Sequence, residues 1–255
     1  MIFDSHAHYD DPAYDEDRAE LLASFAGLGV GHLINVGASR DTTEMSIALA
    51  EKYPFIHAAV GIHPSEVMEY ENGYADMDWL RRMAASPRVR AIGEIGLDYH
   101  TDDIPREIQQ KWFRNQLDVA QDMHLPVIVH SRDAAEDTYE ILSEYGDSIT
   151  AVVHCFSYGP EMAERFLKFG YYIGLGGVLT YKNGRKQKEV MAMLPLDKLL
   201  LETDCPYLSP EGHRGERNSS LNLPIVVAEM ARIRELSCAE IEDITYKNAE
   251  RFYRI

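Results

Sequence analysis

Basic residues are scarce in this sequence. Lysine and arginine number 25 against 42 aspartates and glutamates, a formal net charge of −17. An acidic surface repels nucleic acid and anionic membranes at long range, which excludes a protein that coats DNA through a basic face. It does not exclude a phosphate pocket, because bound divalent cations reverse the local sign. Cysteine is nearly missing as well. Cys155, Cys205 and Cys238 are odd in number and widely spaced, which excludes a disulfide framework and points to a reducing compartment. No uncharged apolar run approaches the ~18 residues of a membrane span. The first residues lack the basic-then-apolar layout of a secretory signal. The expected location is cytoplasmic, with no membrane partner.

What is present is an alternation. Short apolar, β-branched runs at 1–8, 32–37, 56–63, 89–97, 126–130, 150–156, 171–179 and 199–204 read as strands, with helical stretches between them. Helical spacing of apolar residues predicts helices over 106–123, 133–145, 161–169, 185–194, 224–235 and 238–252. Strand–helix alternation implies crossovers and a parallel sheet. Eight such units in 255 residues match a closed (β/α)8 TIM barrel, which typically uses ~250 residues as one domain. The expectation is therefore an α/β barrel spanning residues 1–255. The polar segment 209–223 is long for a loop in a compact domain, a property often tied to function.

The uncommon polar residues fall at the carboxyl ends of the expected strands. They are His6 and His8 in strand one, His63 in strand three and Glu94 in strand four. His130, His154 and Asp204 follow in strands five, six and eight. Barrel enzymes place their active sites at that face. Residues two apart in a strand share a face, so His6 and His8 point together into the barrel mouth. Taken alone, that pair is as readily a chance pairing as half a metal site, and His130 or His154 alone reads as a satisfied core histidine. Glu94 differs, because a carboxylate in an apolar strand is rarely buried unless paired or bound to metal.

Four imidazoles and two carboxylates at one mouth exceed the three protein ligands of a single catalytic metal. Two divalent ions sharing a carboxylate would use them all, and Glu94, midway round the barrel, is the candidate bridge. Imidazole with carboxylate suits Zn, Mn, Fe or Ni, and carboxylate with water suits Mg. Asp204 is either a ligand or the group that takes the proton of an attacking water. Arg132, two residues past His130, is either a planar grip for a phosphate or a surface ion pair. His63 is a candidate for binding substrate. Glu202 and Asp4 are either partners of ligand histidines or ordinary buried hydrogen-bonding groups. Arg185 with Lys186, and Arg214 with Arg217, form two clusters that are candidates for steering phosphate. His32, His57, His100, His124 and His213 read as structural.

The blocks "FDSHAH", "VGIHP", "IGEIGLDY", "LPVIVHSRDA", "VVHCFS", "LLLETDCPYLSP" and "HRGERN" occur here in order. Together with the closing "TYKNAERFY", this set resembles the signature of the TatD family of metal-dependent deoxyribonucleases. The resemblance implies a barrel of the metallo-dependent hydrolase superfamily that cleaves phosphodiester bonds in DNA, with exonuclease character. It implies one metal held by His6, His8, Glu94 and Asp204 and a second held by Glu94, His130 and His154, with His63 in the substrate region. Single-stranded ends suit a recessed mouth better than an intact duplex. The rivals are an amidohydrolase or lactonase on the same scaffold, which commonly recruits a carbamylated lysine as bridge, and a non-catalytic binding protein. Strand four supplies Glu94 and no lysine. One departure stands out: an acidic residue and a proline usually follow "RN" in the family, whereas Asn218 here leads into Ser219-Ser220-Leu221. The change falls in the long loop, within reach of substrate, and bears on substrate preference more than on metal binding.

Overall fold

The structure is a computed structural model describing residues 1–71 and 77–255. The strands are β1 (Ile2–Ala7), β2 (Val30–Val36), β3 (Ile56–Val60), β4 (Val89–Asp98), β5 (Val127–Arg132), β6 (Ala151–Val153), β7 (Tyr172–Leu175) and β8 (Leu199–Leu201). Between them run helices α1 (Arg18–Ser24), α2 (Arg40–Lys52), α3 (Val67–Glu71), α4 (Met77–Ala84), α5 (Arg106–Met123), α6 (Ala135–Tyr145), α7 (Pro160–Leu167) and α8 (Arg185–Met193). Helices α9 (Leu223–Arg234) and α10 (Cys238–Tyr253) follow the last strand. The strands pair in parallel in chain order. A parallel bridge from Ala7 to Cys205, and a 3.0 Å bond from the Asp204 N–H to the His6 carbonyl, return the eighth strand to the first. The fold is a TIM barrel.

Both faces of the sheet are buried, which explains why the strands read as near-continuous apolar runs. One face contributes Phe3, Ile34, Ala59, Ala91, Ile128, Val152 and Leu200 to a cluster inside the barrel. Helix α10 closes the amino-terminal end of that interior. A Ser237–Glu240 capping box starts the helix, and its last turn brings Phe252 against Tyr172 (ring centroids 5.0 Å). The Tyr253 hydroxyl donates to the Ser5 carbonyl at 2.8 Å. With this end plugged, access to the interior is left to the opposite mouth, where the strands end.

Several strands stop earlier than their apolar runs suggest. His63, His154 and Asp204 were expected inside strands but stand just beyond the ends of β3, β6 and β8. At two of these points the chain leaves the extended region abruptly, with φ of 44° at Cys155 and 58° at Asp204. The run at 171–179 gives only four strand residues before a 3-10 turn at Gly177–Thr180. Helix α2, not assigned from apolar spacing, starts at a side-chain cap between Ser39 and Thr42, a signal present in the sequence. No helix among the described residues is long and apolar enough to cross a membrane.

Candidate metal centre

Six side chains from five chain segments converge at the open mouth. His6 and His8 come from β1 and its end, and their Nε2 atoms lie 3.0 Å apart. Glu94 comes from β4, where the register slips between Ile92 and Ile95. This bulge turns Glu94 inward although strict alternation from Ala91 would turn it away. A Cβ on Gly96 (φ 146°) would sit 2.0 Å from the His130 carbonyl oxygen. The glycine therefore permits the close approach of β5 that brings His130 to Glu94.

The two oxygens of Glu94 serve different imidazoles. Oε2 is 3.4 Å from His6 Nε2 and 3.7 Å from His8 Nε2. Oε1 is 2.7 Å from His130 Nδ1 and 2.6 Å from His154 Nε2. Asp204 Oδ1 joins the first group, 3.6 Å from His6 and 3.4 Å from His8. His63 Nε2 approaches Oε1 from the outside at 3.7 Å. The side chain of Glu94 is 5% exposed and that of Asp204 18%.

Most of these rings are oriented from behind. His8 Nδ1 lies 2.9 Å from the Val36 carbonyl, His130 Nε2 lies 3.1 Å from Asp98 Oδ2, and His63 Nδ1 lies 2.7 Å from Ser65 Oγ. Such outer partners fix which nitrogen of an imidazole faces the site. Asp98 was missed in the sequence. The signal existed, because it sits four residues past Glu94 at the end of the same strand and is the aspartate of the "IGEIGLDY" block.

The electrostatics favour positive charge here. Burial disfavours the His8 cation, but the hydrogen bond and charge of Asp204, with Glu94 and Asp10, outweigh it and push the ring up to about 10. Burial likewise opposes His130, and Asp98 and Glu94 raise it to about 9. Burial alone would raise Glu94, yet the surrounding imidazoles hold it well below the usual carboxylate range. His6 falls to about 4 and His63 to about 3, through burial and then through neighbouring histidines. Imidazole nitrogens and ionised carboxylates within 4.8 Å of one another occur as His6–His8–Asp204 and as His63–Glu94–His130. A donor set of this kind, in a pocket that stabilises cations, fits divalent metal ions.

The mouth opens into a cavity of ≈ 770 Å³, whose lining includes His8, Glu94, His130, His154, Asp204 and Arg132. Asp10, Asp11, His100 and Tyr207 complete much of the rim. Among the described residues the Arg132 side chain has no hydrogen-bond or ion-pair partner, so the surface-ion-pair alternative does not hold.

Other expected site features lie elsewhere. Arg185 bonds Glu189 at 2.7 Å, and Arg217 grips both oxygens of Asp17. Arg214 lies 4.3 Å over the Tyr181 ring. None of these, nor Lys186, lines the cavity. Arg185, Arg214 and Arg217 thus face acidic or aromatic neighbours and not the cavity. The altered loop after Asn218 also lies off the cavity. The Ser220 hydroxyl donates to Asp4 Oδ2 at 2.6 Å deep in the fold. Asp4 also accepts from the Thr203 hydroxyl and the His6 N–H. The departure therefore braces the backbone beneath the site and does not line the cavity. Asp4 is a buried hydrogen-bonding group whose partners are the His6 and Thr203 N–H groups and the Thr203 and Ser220 hydroxyls. His213 pairs with Glu216 on the surface.

Comparison with known proteins agrees with this architecture. The family model described as TatD-related DNase matches residues 3–254. YabD of Bacillus subtilis, named an uncharacterized metal-dependent hydrolase, is 40% identical over 256 residues, covering 100% of each chain. The Cronobacter sakazakii protein named 3'-5' ssDNA/RNA exonuclease TatD is 31% identical over 258 residues, covering 99% of this chain and 97% of its own. The crystal structure of YjjV, a TatD homolog from Escherichia coli, superposes with a TM-score of 0.92 at 34% identity, covering 100% of this chain and 98% of that one. This chain belongs to the TatD family of metal-dependent hydrolases.

Proposed function

We propose that this protein is a two-metal phosphodiesterase that removes nucleotides from single-stranded DNA ends. The observation that carries the reading is the division of Glu94, with one oxygen facing His6, His8 and Asp204 and the other facing His130 and His154. In this reading His6, His8, Glu94 and Asp204 hold one divalent ion, and Glu94, His130 and His154 hold the second. The imidazoles with carboxylates suit Zn or Mn, and the carboxylates with water suit Mg. Bound there, such ions supply Lewis acidity and stabilise the attacking and leaving oxygens of an in-line displacement.

The protein's own groups do the rest. Asp204, the more exposed of the two carboxylates, accepts the proton of the attacking water. Arg132 offers its free guanidinium to a phosphate oxygen, and a planar fork suits that geometry. His63 contacts the scissile phosphate from the cavity side. The cavity falls within the roughly 300–1,000 Å³ of small-ligand sites, room for the end of one strand. The name of the C. sakazakii relative supports a nucleic-acid substrate.

The test is a parallel assay of metal-loaded protein on single-stranded DNA, duplex DNA, RNA, and small lactones and amides. Release of mononucleotides from single-stranded DNA, abolished by chelator and restored by Mg or Mn, is expected. Turnover of lactones or amides alone would replace this reading with an amidohydrolase or lactonase. Inactivity on all of them would indicate a binding protein.

A further inference from the structure

Three of the five imidazoles at the mouth have an outer partner: Val36 for His8, Asp98 for His130 and Ser65 for His63. His6 and His154 do not. Their rings stack in parallel, centroids 4.0 Å apart and planes 9° apart. Both direct Nε2 towards Glu94. The Nδ1 atom of each ring is buried and has no hydrogen-bond partner, and the same is true of Glu202 Oε2. Unpartnered buried polar atoms are uncommon in folded proteins, and here three belong to residues that cluster. One ligating atom from each of His6, His154 and Glu202 falls within 4.8 Å of the others.

Glu202 is held beside the two rings, beyond direct hydrogen-bond distance of their nitrogens. It is 1% exposed. Its Oε1 accepts the Cys155 backbone N–H, which leaves Oε2 as the free end. A Cβ at position 174 would approach Oε2 to 2.3 Å, so Gly174 keeps the space beside it. A metal-binding histidine that presents Nε2 must carry its proton on Nδ1, and that N–H requires an acceptor.

We propose that Glu202 is a positioning residue that serves two histidines at once, its Oε2 holding a bridging water that accepts from the Nδ1–H groups of His6 and His154 and so aims both Nε2 lone pairs at the metal pocket. This rests on the metal-centre reading above. It extends that reading, because a single carboxylate then orients one ligand of each proposed ion.

The isosteric change Glu202→Gln tests it. The Cys155 N–H keeps the amide oxygen in place, so the amide NH2 faces the water and donates where an acceptor is needed. Histidine ¹⁵N–¹H long-range NMR reads the tautomers. In metal-free wild type at alkaline pH, both His6 and His154 are expected as Nδ1–H, and with zinc bound those protons should exchange slowly. In Glu202→Gln the metal-free rings should switch towards Nε2–H. Zinc or manganese affinity by calorimetry should fall about 10–100-fold, with the metal-free melting temperature little changed. Wild-type rings in the Nε2–H form, or a variant that retains both its tautomers and its affinity, would overturn the proposal. Failure of the wild type to bind any metal would instead remove the metal-centre reading, and the metal-free tautomers would still decide the role of Glu202.

Discussion

Each end of the barrel holds a histidine pair, and the two pairs behave in opposite ways. At the open mouth His6 and His8 meet with Nε2 atoms 3.0 Å apart. At the closed end His57 Nε2 meets His32 Nδ1 at 3.3 Å. The first pair faces Glu94 and Asp204. The second has Arg88 and Arg90 among its charged neighbours, and burial together with these cations and His32 pushes His57 down to about 3. Proximity of imidazoles is common to both ends; carboxylates outweigh burial at His8, whereas Arg88 and Arg90 reinforce burial at the closed end and Glu250 offsets it only in part at His32. A histidine pair is therefore informative once the charges sharing its cavity are known.

The largest effect should come from removing the shared carboxylate. Glu94→Ala is expected to lower hydrolysis by ~10³-fold or more, the scale of several kcal/mol of lost transition-state stabilisation. Far-UV circular dichroism should show the barrel intact, and calorimetry should show at least one metal site lost. Full activity in this variant would erase the distinction between the two ends. Next, Arg132→Ala removes a charge-assisted bond worth roughly 1.5–3 kcal/mol. KM for a single-stranded oligonucleotide is expected to rise about 10–100-fold, and steady-state kinetics checks this.

The closed end is tested through pH. The folded-state value of His57, about 3, lies below its ordinary 6.5, so the unfolded chain takes up a proton first as pH falls. The stability associated with neutral His57 is complete above about pH 6.5 and is lost progressively towards about pH 3. In His57→Gln this part of the acid dependence should flatten, measured as urea midpoints from pH 7 to pH 4, with metal binding at the mouth unchanged. The smallest effect belongs to Arg217→Ala, which breaks an exposed pair with Asp17. It should cost at most ~1 kcal/mol and leave KM for the oligonucleotide unaltered. A raised KM would reinstate this arginine as a steering charge.

Much of the barrel and its mouth was legible in the sequence, because strand ends in such a fold project into one place. His6, His8, Glu94, His130, His154 and Asp204 could be named from position alone. What position did not reveal were the irregularities. The register of β1 shifts between Asp4 and Ala7, so Asp4 braces backbone although parity places it with His6. The bulge in β4 aims Glu94 inward. Asp98 was overlooked because an acid at a strand end looks like solvent-facing charge until His130 is seen against it. The placement of the cationic clusters was hidden for a related reason. Sequence shows a charge and not the partner that occupies it, and Asp17 lies 200 residues from Arg217. The serines after Asn218 looked like a substrate-facing change, yet the loop folds back onto Tyr9 and Asp4.

The most direct measurement is anomalous diffraction from crystals grown with manganese. Two peaks ~3.5–4 Å apart are expected, one on either side of Glu94, the first among His6, His8 and Asp204 and the second beside His130 and His154. A map with no peak at this mouth, or with manganese bound at the His32–His57 end instead, would contradict the account.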